Sequence, residues 1–247
     1  MQKYQNAKIQ RIGWKKIAST AAIVLIIGVA SMLKFSINGY STSIGQKTTI
    51  DLPDGSKVTL NAETEMQYST LDFGLFNNRS LKLKGEAYFE VQKGADFMVE
   101  TENGTVQVLG TTFNVFSRGD RLNVHCFTGK VEVSLESNDS RVIEGGNSAE
   151  SLNKKFLSPN NPSEFSDLQP KWIHNESVFS EDPLIEVLQE FERQYEIKFI
   201  YPNSISSHRF TGGFPHSDFD TAFEILKTSI EGYNFTLEGK KVTLSPK

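Results

Sequence analysis

No acidic residue occurs before Asp51, although the first fifty residues carry seven lysines and arginines. The remainder holds all 30 carboxylates against 19 of the 26 basic groups, a net of −11 within a whole-chain charge of −4. So acidic a body excludes the basic footprint that nucleic-acid binding needs to displace counterions from phosphates. Cysteine is nearly absent as well. Cys126 stands alone, which excludes an intrachain disulfide and a thiolate cluster for structural zinc. It falls in phase with Leu122 and Val124, so a core position on a strand is expected. The four histidines, His125, His174, His208 and His216, lack metal-ligand spacing. No serine sits in a nucleophile elbow, and no glycine-rich loop precedes a helix as a phosphate site requires. Glu86 and Glu90 share the wet face of one strand and form a carboxylate pair of glycosidase type, but two acids on a solvated β face serve solubility first. No catalytic, cofactor-binding or metal-binding residue is assigned, and no enzyme is expected.

Against these absences stands one uncharged run, Ile17 to Leu33, with Lys15 and Lys16 before it and Lys34 after it. Seventeen helical residues reach roughly 25 Å, near the lower limit for crossing a bilayer's hydrocarbon layer. Its eight Ile, Val and Leu residues favour insertion by a few kcal/mol, on the order of 0.3–0.6 each. A single-pass membrane helix is therefore predicted over 17–35. The basic tail, 1–16, is kept in the cytoplasm by the positive-inside rule, and the rest of the chain is sent across. A cleaved signal peptide ending near Gly28-Val29-Ala30 is one alternative, although the run exceeds the usual apolar region of such peptides. A buried core helix is the other, opposed by the lack of any polar face.

From 44 to 157 the apolar residues recur with period two, and helical periodicity is missing. Pro53-Asp54-Gly55 reads as the turn of a hairpin between Thr48-Thr49-Ile50 and Lys57-Val58-Thr59-Leu60, because Pro presets φ and Gly supplies a positive one. Leu83, Gly85, Ala87, Phe89 and Val91 share one strand face, with Lys84, Glu86, Tyr88, Glu90 and Gln92 on the other. The small pair Gly85 and Ala87 predicts a close approach by another layer. Gly110 reads as a corner between two strands, and Thr128-Gly129 as another. An all-β domain is expected, solenoid, barrel or sandwich-like.

Ser158-Pro159-Asn160-Asn161-Pro162-Ser163 begins a linker over 158–170. Beyond it, over 171–247, the periodicity becomes helical twice. Asp182 is a candidate cap and Pro183 a first helical position ahead of Leu184, Val187, Leu188, Phe191 and Tyr195. Ser217 or Asp218 can cap a second helix carrying Phe219, Ala222, Phe223, Leu226 and Ile230, with Gly232 closing it. Each helix is followed by strand, so a small α+β domain of two helices on a mixed sheet is predicted. Its strands Arg209-Phe210-Thr211 and Phe235-Thr236-Leu237 are candidate edges. Arg209, Phe210, Thr211, Phe235 and Leu237 are accordingly candidate partner-binding residues, through strand addition.

The stretches Ile50 to Asn61, Gly85-Glu86-Ala87-Tyr88-Phe89-Glu90-Val91 and Val108-Leu109-Gly110-Thr111-Thr112-Phe113-Asn114-Val115 closely resemble, in order and spacing, the FecR family of bacterial transmembrane anti-sigma regulators. The second half, through Trp172, Phe179, Pro183-Leu184, Tyr195 and Phe210-Thr211-Gly212, resembles the C-terminal domain of Bacteroidetes-type members. That domain is similar to the short N-terminal signalling domain of secretins and TonB-dependent transducers. The resemblance implies an inner-membrane regulator with its bulk in the periplasm. It would relay a signal from the signalling domain of a TonB-dependent outer-membrane receptor to an extracytoplasmic-function sigma factor. Only sixteen residues precede the apolar run, whereas family members carry a folded sigma-binding domain there and unaided folding needs roughly 40. The alternatives are a periplasmic glycan- or ligand-binding module, marked by an exposed aromatic platform, and a structural assembly component like a secretin ring domain.

Overall fold

A computed structural model describes residues 13–74, 78–158 and 168–247. Most of the basic tail and most of the predicted linker lie outside the described residues. Helix α1 (Trp14–Phe35) contains the apolar run Ile17 to Leu33, though the expected membrane span is not supported, and its described side chains from Ala18 to Val29 are exposed, Leu25 to 69%. Among the described residues no helix is long and apolar enough to cross a membrane.

Thirteen strands follow: β1 (Ile37–Ser41), β2 (Thr48–Asp51), β3 (Lys57–Leu60), β4 (Glu65–Ser69), β5 (Arg79–Glu90), β6 (Phe97–Thr101), β7 (Gly104–Val108), β8 (Thr112–Arg118), β9 (Arg121–Thr128), β10 (Lys130–Ser134), β11 (Ser140–Glu144), β12 (Asn147–Leu152) and β13 (Lys155–Phe156). A short helix, α2 (Thr70–Gly74), interrupts them after β4. The β unit thus starts at Ile37, before the predicted boundary of 44. Ile37-Asn38-Gly39-Tyr40-Ser41 has weak strand propensity, and it is pairing with β4, from Ile37 opposite Ser69 to Ser41 opposite Glu65, that makes it a strand. Only Ser36 separates α1 from β1, and its carbonyl accepts from the Thr70 N–H at 2.8 Å.

All thirteen strands form one curled sheet, and β5 is its fold line. Residues 79–84 pair with β4 and β6, whereas residues 85–90 pair with β3 and β8. Gly85 makes the bend with φ of +119°, and a Cβ there would stand 2.8 Å from the Thr64 Cα, the close approach the small residue foreshadowed. The two halves of the sheet close on one core, in which Phe89 of the second half stacks on Phe113 at 4.8 Å and meets Phe97 of the first edge-on at 6.3 Å. Apart from the parallel pair β5–β6, the ladders are antiparallel, so the unit is one curled, half-barrel sheet and not the coils of a parallel solenoid. Cys126 is buried in this core as expected, and burial and Glu144 push its thiol up to about 11.

The predicted Pro-Asp-Gly hairpin joins β2 to β3, with Gly55 at φ +82°. Asp54 does more than turn the chain: it accepts from the Ser56 N–H at 3.0 Å and pairs with the buried Arg79 guanidinium at 3.0 Å. Gly110 lies at the predicted corner, pressed so closely on Lys93 that a Cβ would stand 2.7 Å from the Lys93 Cα.

The second unit consists of β14 (Glu176–Pro183), α3 (Leu184–Tyr195), β15 (Lys198–Ile200), β16 (Arg209–Pro215), α4 (Phe219–Ser229), β17 (Tyr233–Glu238) and β18 (Lys241–Pro246). It has two helices as predicted, but its strands divide into a β14–β16 pair and a mixed sheet ordered β15–β18–β17. Asp218 caps α4 by accepting from the Thr221 N–H at 3.1 Å. Asp182 does not cap α3, because β14 runs on through Pro183 and the Asp182 carboxylate instead accepts from the Ser180 N–H. Phe191 centres this unit's own core, separate from that of the β unit.

Candidate functional site between the two units

The polar row of β5 was expected to be wet, and there the structure differs. Glu86 is 9% exposed and Tyr88 3%, because the second unit and the 3₁₀ turn Lys171–His174 lie over them. Strands β5 and β8, the residue after β3, the 3₁₀ turn and helix α3 supply the groups that meet there. Glu86 accepts from the Asn61 side chain at 2.8 Å and from that of Asn114, on neighbouring β8, at 2.9 Å. Asn114 in turn accepts from the Trp172 indole N–H at 3.2 Å. Opposite them on α3, Glu190 accepts from Arg193 and Gln194, each at 2.8 Å, one on the next turn and one a full turn away.

These bonds close into a ring. From Glu190 it runs to the Ser177 hydroxyl at 3.5 Å, then to His216 Nε2 at 2.8 Å and from His216 Nδ1 to the Lys47 ammonium at 3.1 Å. Lys47 also donates to the Trp172 carbonyl, and Trp172 leads back through Asn114 and Glu86 to Asn61. Gln194 donates to Asn61 at 3.4 Å and completes the circuit. The ring crosses between the units at Trp172–Asn114, Lys47–Trp172, Lys47–His216 and Gln194–Asn61. Lys47 spends its third donor on the Asn175 side chain at 2.8 Å, so its protons are fully engaged.

Burial and the nearby Glu190 push the Glu86 carboxyl up, while Arg118, Asn61 and Asn114 only partly oppose them. For Glu190, burial also disfavours the charge, but Arg193, Gln194 and Arg118 together outweigh it and hold the carboxyl below its ordinary range. Burial and Lys47 depress His216 to about 4, so the imidazole is neutral, with Nδ1 accepting from Lys47 and the Nε2 proton donated to Ser177. A second tie flanks the ring: Arg121 of β9 pairs with Glu150 at 2.5 Å in its own unit and with Glu186 of α3 in the other. The apolar contribution is small and consists of Trp172 and Ile173 against Tyr88 and Phe127. Those rings are covered, so among the described residues they offer no exposed aromatic platform for a glycan. Among the described residues no group of three or more His, Cys, Asp or Glu is placed to hold a metal ion.

Residues 38–132 match the family described as FecR protein, and residues 176–244 the family described as FecR, C-terminal. The chain belongs to the FecR family. Two solved structures of a "putative anti-sigma factor" from Parabacteroides distasonis ATCC 8503 share its fold. Each has a TM-score of 0.74 over 85% of this chain and 99% of theirs, at 23% and 24% identity. No curated protein sequence matches the chain.

In this FecR-family chain the sequence-predicted contact residues fall at two separate places. Arg209, Phe210 and Thr211 begin β16, paired with β14, and Phe210 is buried in the core while Arg209 and Thr211 are exposed. Phe235 and Leu237 lie on β17, which pairs with β18 alone among the described strands and so is an edge. Leu237 is exposed and Phe235 half-buried against Phe223. None of the five touches the ring. Sequence reasoning missed Lys47, Asn61, Asn114, Glu190 and Gln194 as a group. One signal was available: Tyr88 interrupts a charged row between Glu86 and Glu90, and a large aromatic there marks a row that is not wholly wet.

Proposed function

We propose that the protein is an anti-sigma regulator anchored in the inner membrane by Ile17–Leu33, with both folded units in the periplasm. The reading is that it controls an extracytoplasmic-function sigma factor in response to the signalling domain of a TonB-dependent receptor. The observation that carries it is continuity. The chain passes from α1 through the single residue Ser36 into β1, and the ring ties the β unit to the FecR C-terminal unit. A displacement of the C-terminal unit would act on the β unit across the ring, and through β1 and Ser36 on α1. Anchoring is supported by the charge pattern and by the exposure of Ile23, Leu25 and Ile27, apolar side chains that need an apolar solvent when no partner covers them. The receptor-facing surface assigned in this reading is the β17 edge with Leu237, where an extended strand can add to the sheet. Transmission requires the receptor to bind one state of the regulator better than another.

Affinity capture of the tagged full chain from membranes tests this reading. Recovery of a sigma factor and a TonB-dependent receptor is expected, with their ratio changing under induction. Recovery of neither, under inducing and non-inducing conditions alike, overturns it.

A further inference from the structure

The two units have separate apolar cores, one centred on Phe89 and Phe113 and one on Phe191. What joins them is a ring of directional polar bonds, the flanking Arg121–Glu186 tie and a small apolar contact made by Trp172 and Ile173. Polar interfaces between units of one chain behave like transient ones, and they separate at far lower cost than a shared core. Within this seam Arg118 Nε and Gln194 Oε1 are buried and have no hydrogen-bond partner among the described residues. The closed arrangement therefore carries groups that water would satisfy if the units parted. The Gly45 N–H crosses the seam to the Arg193 carbonyl at 2.8 Å, and a Cβ at Gly45 would meet the Gln194 carbonyl at 3.0 Å, so α3 rests directly on the 43–46 turn.

We infer that the ring is a latch: the C-terminal unit has a second arrangement, lifted off the β unit with both cores intact, and the Lys47–Trp172–Asn114–Glu86–Glu190 circuit selects between the two. The inference rests on the two-state regulator proposed above and names the element that has two states. In the closed arrangement Trp172 is buried and every ring member bonds to its neighbours in the circuit. Lifting the C-terminal unit uncovers Glu86, Asn114 and Tyr88 together, because all three lie under the same turn and helix. The circuit makes the change all-or-none, since removal of one crossing bond leaves a buried partner unmet and weakens the next.

The test uses the full chain in detergent micelles. The sequence has two tryptophans, so Trp14→Phe leaves Trp172 as the sole indole reporter. Under rising urea, Trp172 emission is expected to shift red and acrylamide quenching to rise several-fold before far-UV circular dichroism changes. Glu190→Gln combined with Lys47→Met should bring that first step to lower urea and leave the second in place. Coincidence of the two transitions in both proteins overturns the inference, because the seam would then be part of one cooperative core. Should the double variant fail to fold, hydrogen exchange in the unaltered chain decides. The Gly45 amide is expected to exchange through a partial opening, faster and with a smaller urea dependence than the amides of β8. Equal rates with equal urea dependence overturn the latch. None of these readouts involves a sigma factor or receptor, so failure of the latch and failure of the regulatory reading are distinguishable.

Discussion

In the core of the β unit, Phe89, Phe97 and Phe113 are fully buried and meet face to face or edge to edge, and no polar group is asked of them. In the seam between the units, Glu86 and Glu190 are nearly as well hidden, yet each is held by named donors. Burial alone does not distinguish the regions; directionality does. Apolar packing is nearly indifferent to orientation and loses stability in proportion to the volume removed. A buried polar ring depends on geometry, and cutting one bond strands its partner. A signalling protein gains from having both, because the first keeps each unit whole while the second can give way.

The comparison is sharpened most strongly in the core. Phe89→Ala should destabilise the β unit by about 3–5 kcal/mol in urea titration, through lost burial and the cavity left behind. The C-terminal unit, followed by amide signals of α3 and α4, should be little affected. An equal loss in both units would show that the cores are not separate. Gly85→Ala probes the place where core and seam meet, since β5 bends there against Thr64 at positive φ. A loss of about 2–3 kcal/mol is expected, combining overpacking with backbone strain, and a neutral result would mean that Thr64 gives way.

Within the seam, Asn114→Ala removes the acceptor of Trp172 and one donor to Glu86 at once. About 1–3 kcal/mol should be lost, read as earlier exposure of Trp172 and not as melting of the β core. The smallest effect is the pH dependence of His216. Its folded value is depressed to about 4 against an ordinary 6.5, so its contribution is complete above pH 6.5. As pH falls from 6.5 towards 4 the unfolded chain takes the proton first, and stability declines by on the order of 1 kcal/mol. His216→Gln should flatten that part of the profile, measured by urea midpoints at pH 7 and pH 5. An unchanged slope would assign it to His125, which burial also depresses to about 4.

Much of the fold was legible because strand alternation reports one-sided burial. Leu83, Ala87, Phe89 and Val91 read as a core face and are one. The turn at Pro53-Asp54-Gly55 and the corner at Gly110 were readable from backbone chemistry, since those positions demand positive φ or close approach. Strand β1 was not, because Asn38 and Gly39 carry no strand preference and the pairing with β4 is non-local. The candidate site was scarcely legible. Glu86 lies in phase with Lys84 and Glu90, and the alternation of a single strand cannot tell a polar face open to water from one covered by another unit.

By itself the sequence determined the order of the units, the apolar run and its charge asymmetry, the faces of the strands and helices, and the FecR resemblance. All of these are written in local period and motif. Only the tertiary structure decided that β5 bends at Gly85 to serve both halves of one sheet, and that α1 enters that sheet through Ser36 alone. It alone decided that Lys47, Glu86, Asn114, Trp172, Glu190 and His216 converge. They come from six segments of the chain, and hydrogen bonding acts over about 3 Å of space with no regard to separation along the sequence.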